Sequence, residues 1–223
     1  MIRMPVSAMI GLFFTARYFL AAIFAPVIAP YGMAEVVGDV WEPMSAEHWL
    51  GTDSIGRDLL TRMIYGGRTT IFIATMATIL SFTTGSVLGF LAATVGGWVD
   101  QALSRFVDLM MAIPSLIFAL VVLSVMPVTV TVLIFVMGLL DATRVYRLAR
   151  AVAVDITVMD YVEAARLRGE GLGWIMRREI LPNILPPLIA EFGLRFCFVF
   201  LSIAALSFLG VGIQPPTADW GSM

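Results

Sequence analysis

The acid/base chemistry open to this chain rests on one histidine and its neighbouring carboxylates. His48, Asp53 and Asp58 fall within eleven residues, close enough for proton transfer, but no pattern that would activate a nucleophile accompanies them. A membrane-embedded enzyme built on that cluster is therefore the weaker reading, and no residue is assigned as catalytic. All 14 basic residues are arginine. Without lysine the chain has neither a Schiff-base amine nor the lysine of a phosphate-binding Walker A loop, so it is not expected to be an ATPase by itself. The single cysteine, Cys197, and the single histidine exclude an internal disulfide and a zinc cluster, so no metal or cofactor is expected.

The elements that must position any site are those of a membrane protein. Hydrophobic residues make up 60% of the 223, charged residues 13%, and the mean hydropathy is +0.94, beyond the apolar content of soluble domains. A net charge of −2 gives no field for nucleic acid, so no such partner is expected. A bilayer core takes roughly 20 helical residues, and five apolar runs approach that length: residues 4–30, 71–93, 106–126, a run beginning at 128–140, and 184–209. The first is broken only by Arg17, which is costly near mid-span unless it faces a partner or the span is shifted. Its early arginine and small residues also fit a signal peptide, but the run is long for one and more spans follow.

Local spacings add detail. Gly85 and Gly89 either form a small-xxx-small pair suited to close helix approach or are chance glycines of a membrane helix, and spacing alone does not separate the two. Glu191 and Arg195, four apart, are expected to pair on one helix face, as are Arg105 and Asp108, three apart. Gly51, Thr52, Asp53, Gly56 and Arg57 are expected to build an outer turn, with Asp53 capping the helix that follows it. Between Arg144 and Arg178 lie seven of the fourteen arginines, which puts that loop in the cytoplasm. Counting outward, residues 1–30 hold a short cytoplasmic N-terminus and the first span, 31–67 a periplasmic segment, and 68–223 the main transmembrane domain.

The polar stretch "YVEAARLRGEGLGWIMRREILPN" (161–183) interrupts this apolar chain. Good helix formers occupy 160–168; Gly169, Gly171 and Gly173 offer a turn, and a short helix over 172–180 is expected to stop before Pro182. Ala164 and Ala165 leave one side of the first helix thin for a partner, and Glu163 offers a carboxylate. Arg166, Arg168, Arg177 and Arg178 surround the turn. On charge alone the stretch reads equally as a docking element or as an interfacial helix held by anionic lipid.

The order Glu163, Ala164, Ala165, then Gly169, then Leu181 and Pro182 resembles the EAA motif of the permease subunits of binding-protein-dependent ABC importers. One departure is visible: that pattern often has isoleucine ten residues after the glycine, where this chain has Glu179, with Ile180 next. "HWLGTDSIGRDLLTRMIYGGR" (48–68), "GGWVDQALSRFVDLMMAIPSLIFAL" (96–120) and "ALSFLGVGIQPPTADWGSM" (205–223) resemble the peptide and nickel branch of that family. The resemblance implies an all-α polytopic bundle of the type I ABC importer permease fold, with the loop over 160–183 seated in an ATP-binding subunit. It implies as partners two ATP-binding subunits, which hold the ATP, a second permease subunit and a periplasmic solute-binding protein. The family continues into a sixth span, so about five spans are expected here, with the last missing. Di- or oligopeptides are the expected cargo; nickel is the alternative, for which a single histidine gives no internal support. A non-transporting subunit lacking that span is a further alternative.

Overall fold

The computed structural model describes residues 5–223, which are helical apart from the loop before Leu59, the C-terminal tail and short turns between helices. In chain order the helices are α1 (Val6–Ile23), α2 (Ala25–Ile28), α3 (Leu59–Val95), α4 (Gly97–Ala112), α5 (Ser115–Val125), α6 (Val130–Thr157), α7 (Asp160–Leu167), α8 (Leu172–Ile175) and α9 (Leu181–Phe208), with a wide, π-type turn over Met176–Ile180.

The helix boundaries follow local chemistry. α3 starts well before the apolar run at residue 71, because the Asp58 carboxylate accepts the Thr61 backbone N–H at 2.7 Å and caps it. Asp53, expected to cap this helix, instead closes its own turn by accepting the N–H groups of Ile55 and Arg57. The helix ends at Gly96 and Gly97, whose φ values of 65° and 58° need glycine to turn the chain into α4. The run expected over 106–126 is broken at Ile113, extended as residues before proline are, and α4 and α5 meet at an 83° bend. Thr129 caps α6, its hydroxyl accepting the Val132 N–H.

Among the described residues, three helices are long and apolar enough to cross a membrane: α1, α3 and the continuous path Leu172–Phe208; the bent pair α4–α5 makes a fourth if the two helices form one span. The run expected from residue 128 is only the first part of the 28-residue α6. That helix fails the same test because Asp141, Arg144, Arg147 and Arg150 fall along its remainder.

The expected stop before Pro182 is not found. Leu181 is helical at φ −55° and ψ −45°, and α9 runs on through Pro186 and Pro187. Packing accounts for this. Ile175, Ile180, Ile184 and Leu188 are all buried, five residues apart across the wide turn and four apart beyond it. The wide turn takes the extra residue that brings Ile175 and Ile180 to one face. Burying four such side chains is worth about 6–12 kcal/mol, which outweighs the roughly 3 kcal/mol that Pro182 costs and offsets a similar cost at each of Pro186 and Pro187.

The chain forms two compact units, one of residues up to Ile73 with Ile203–Met223, the other of Ala74–Ser202. In the first, the loop before α3 is wound on itself: Val37 N–H donates to the Gly56 carbonyl at 2.8 Å and Thr52 N–H to that of Glu42 at 3.2 Å. The tail packs Trp220 over Gly66 and Gly67, its indole N–H donating to the Met63 carbonyl at 2.8 Å. In the second, α3 and α6 cross closely at Gly85 and Gly89, the first of the two readings that their spacing allows. A β-carbon at Gly89 would lie 2.9 Å from Ala149 Cβ and from backbone atoms of Tyr146 and Arg150.

Candidate functional site

The polar stretch forms a helix, turn and return leg inside the second unit. α7 begins after Met159, carries Asp160 and Glu163 in its first turn and Arg166 in its last, the order that its dipole favours. Gly169 ends it at φ +83°, its N–H donating to the Arg166 carbonyl at 2.9 Å while Glu170 N–H reaches that of Ala165 at 3.2 Å. That pair of bonds is a Schellman cap. Gly171 has negative φ and merely precedes α8, so one glycine rather than three makes the turn.

Of the two alanines expected to leave one side of the first helix thin, only Ala164 is exposed. Ala165 is fully buried with Val162, packed against Ala149, Ala153 and Ile156 of α6, Phe90 of α3, and Ile175, Ile180, Ile184 and Leu188 of the return leg. It anchors the loop, because residues 162 and 165 share the inward face of α7. Glu163 and Ala164 are exposed, as are Arg166, Arg168 and Gly169, and Leu167 is 83% exposed. Leu181 and Pro182 stand exposed on the first turn of α9.

Glu179, the residue that departs from the expected pattern, lies 4.0 Å from the Arg168 guanidinium across the loop. Its neighbour Ile180 fills the core, because the wide turn moves the inward direction by one residue. A polar residue at 179 is thereby accommodated.

α6, which enters the loop, is fixed to α4 by charge. Arg150 donates to both Asp100 carboxylate oxygens, Arg147 to Asp108 at 2.5 Å, and the Ser104 and Tyr146 hydroxyls bond at 2.9 Å. Asp108 therefore pairs with Arg147 on another helix rather than with Arg105, its expected partner. Local spacing offered the nearer arginine, but the fold brings the distant one to the carboxylate.

A second cluster escaped the sequence reading. Asp141 of α6 is 3% exposed; it accepts the Ser81 hydroxyl from α3 at 2.9 Å and lies 3.6 Å from the guanidinia of both Arg144 and Arg195. Arg195 also donates to Glu191 at 2.7 Å, the expected pair on α9. Three helices of the second unit are thus joined around one carboxylate. The signal was present: an ionisable residue directly after an apolar run faces the protein interior by default.

The acid/base candidates are committed elsewhere. His48 Nδ1 lies 3.2 Å from Asp58 and its Nε2 3.9 Å from Glu42, which ties the loop to the start of α3. Asp53 is bound by the Arg57 guanidinium at 2.7 Å and by Arg62 at 3.3 Å. Burial alone would raise the Asp53 carboxyl; the hydrogen bonds from Arg57 and the Ile55 N–H together outweigh it and hold the group below its ordinary range. Both carboxylates thus hold the loop and the start of α3 through their contacts.

Residues 85–223 match the family described as binding-protein-dependent transport system inner membrane component. Among curated proteins, the dipeptide transport system permease protein DppC of Escherichia coli is 42% identical over 97% of this chain and 75% of its own length. The di/tripeptide transport system permease protein DppC of Pseudomonas aeruginosa is 36% identical over 97% and 74%. That of Alkalihalophilus pseudofirmus, a dipeptide system, is 34% identical over 97% and 71%. Identity at this level along nearly the whole sequence, on an all-helical chain with several membrane-length helices, establishes that the chain belongs to the binding-protein-dependent transport inner membrane components, multi-pass permeases of the inner membrane.

Proposed function

We propose that this permease carries di- or oligopeptides across the inner membrane as part of an ABC importer. The observation that carries the reading is the 42% identity to a dipeptide permease over 97% of the chain. Two ATP-binding subunits, a second permease subunit and a solute-binding protein complete the assembly in this reading. ATP is bound by the partners, and this chain supplies path and linkage.

The linkage is the loop over 160–183. Glu163 and Ala164, exposed on α7, meet the ATP-binding subunit, with Leu167 beside them. Gly169 fixes the turn, Ala165 anchors it to the core, and Leu181 and Pro182 begin the helix that leaves it. Because α7 and the return leg share one buried core with α6 and α9, a push on the loop moves both helices together. Nucleotide binding then has to favour one arrangement by a few kcal/mol to switch access between the two sides.

Cells lacking their own dipeptide uptake, supplied with this chain and its partner subunits, are expected to accumulate a labelled dipeptide in an ATP-dependent manner. Uptake of nickel but not of dipeptide in the same cells overturns the peptide assignment while leaving the permease family intact.

A further inference from the structure

The return leg of the loop carries a feature that linkage to ATP hydrolysis does not use. Trp174, Arg177 and Arg178 line an open cleft of about 380 Å³. Among the described residues, neither arginine has a carboxylate within ion-pair distance; Arg166 on α7 has none either, whereas Arg147, Arg150 and Arg168 do. Two unneutralised guanidinia at adjacent positions beside an indole form a site for a phosphate-type anion.

What lies beyond the cleft identifies the bearer of that phosphate. From Arg177 onward every fourth residue is Leu181, Leu185 and Ile189, and these are 36%, 42% and 69% exposed. Leu181, Leu185 and Ile189, four apart, share one face of α9, an exposed apolar stripe that begins just beyond the wide turn carrying the two arginines. Arg178 lies six residues before Ile184, where the apolar run starts, about 9 Å along a helix. The headgroup layer on each side of a bilayer is roughly 5–8 Å thick. With the run immersed in hydrocarbon, the two arginines stand at the outer edge of the headgroup layer and reach back into it along their flexible stems, while Leu185 and Ile189 lie beside the acyl chains. A soluble ATP-binding subunit has no means of covering residues at hydrocarbon depth.

We propose that Trp174, Arg177 and Arg178, with Leu181, Leu185 and Ile189, form a binding site for one anionic phospholipid beside the coupling loop. The headgroup phosphate seats on the two arginines and an acyl chain lies along the stripe. Two arginines near a membrane surface give roughly a thirtyfold preference for an anionic over a zwitterionic lipid. Glu163 and Ala164 stand on α7 and the two arginines on the return leg, so the lipid and the ATP-binding subunit are assigned different segments of one loop.

The test uses the importer assembled with its partner subunits and reconstituted in phosphatidylcholine vesicles containing brominated phosphatidylglycerol or brominated phosphatidylcholine. Subtracting the fluorescence of a Trp174→Phe assembly isolates Trp174. Brominated phosphatidylglycerol is expected to quench that component at about thirtyfold lower mole fraction than brominated phosphatidylcholine. Arg177→Gln/Arg178→Gln removes the preference, Ile189→Asn weakens quenching by both lipids, Arg166→Gln changes nothing, and millimolar inorganic phosphate does not compete. Equal quenching by the two lipids, or a preference that survives the double substitution, overturns the proposal. So does displacement by free phosphate, which identifies a soluble-anion site. Loss of the ATP-binding subunits from the double variant also overturns it, because it assigns this surface to a protein partner.

Discussion

Replacing Gly169 separates a backbone requirement from a packing requirement within the loop. Its φ is +83°, and a β-carbon built there meets no atom within 4 Å. A side chain at this position is therefore penalised only through the backbone, by about 1–2 kcal/mol for an ordinary residue. Branching at the β-carbon raises the penalty further, whereas asparagine tolerates this conformation. A penalty of that size shifts the loop between its capped and uncapped forms by a factor of about 5–30. Dipeptide uptake is accordingly expected to fall in the order Gly169→Asn, Gly169→Ala, Gly169→Val, with the asparagine variant near the parent and the alanine variant reduced about fivefold. Membrane insertion and yield remain unchanged, because the core residues Val162, Ala165, Ile175 and Ile180 are untouched. Gly171→Ala and Gly173→Ala serve as controls: neither glycine has positive φ or a close neighbour, and both variants should transport normally. The assay is uptake in cells together with substrate-stimulated ATP hydrolysis in proteoliposomes. If Gly169→Val transports as well as Gly171→Ala, the turn does not transmit motion and the reasoning fails.

Gly89→Val places atoms within 2.9 Å of Ala149 and of the Tyr146 and Arg150 backbone, none of which can yield easily. Overpacking of about 1–3 kcal/mol should lower the unfolding midpoint of the detergent-solubilised protein, whereas Gly193→Val, which meets nothing within 4 Å, should leave it unchanged. The Asp53 carboxyl is held below its ordinary value of 3.8. Its contribution to stability is thus complete above that value and lost as pH falls through the lower folded-state one. Proteolysis of the loop before α3 should accelerate below about pH 4; an Asp53→Asn protein should be cut faster at neutral pH and lose most of that dependence.

Features set by neighbours in sequence were legible from it. The Glu191–Arg195 pair, the α7 helix and the Gly85/Gly89 crossing all depend on spacings of a few residues, which helical geometry fixes. The all-helical membrane architecture followed from composition in the same way. What sequence hid was set by distant partners. Asp108 finds Arg147, 39 residues away, and Asp141 gathers Ser81 from α3 and Arg195 from α9. α3 begins twelve residues before its apolar run because its capping residue precedes two arginines that mask the helix. Pro182 failed as a stop signal because a buried isoleucine face outweighs a local preference. Of the loop residues, Glu163, Ala164 and Gly169 stand where a partner can reach them, whereas the inward turn of Ala165 became visible only with the core around it.

The central claim is that the exposed side of α7 meets an ATP-binding subunit, and a disulfide crosslink tests it most directly. In a Cys197→Ser background, since that cysteine is exposed, a cysteine replacing Leu167 is paired with single cysteines along the cleft of the ATP-binding subunit. The account predicts a crosslink within the assembled importer whose yield changes when nucleotide is added. Labelling of the same cysteine from outside intact cells by a membrane-impermeant maleimide contradicts it.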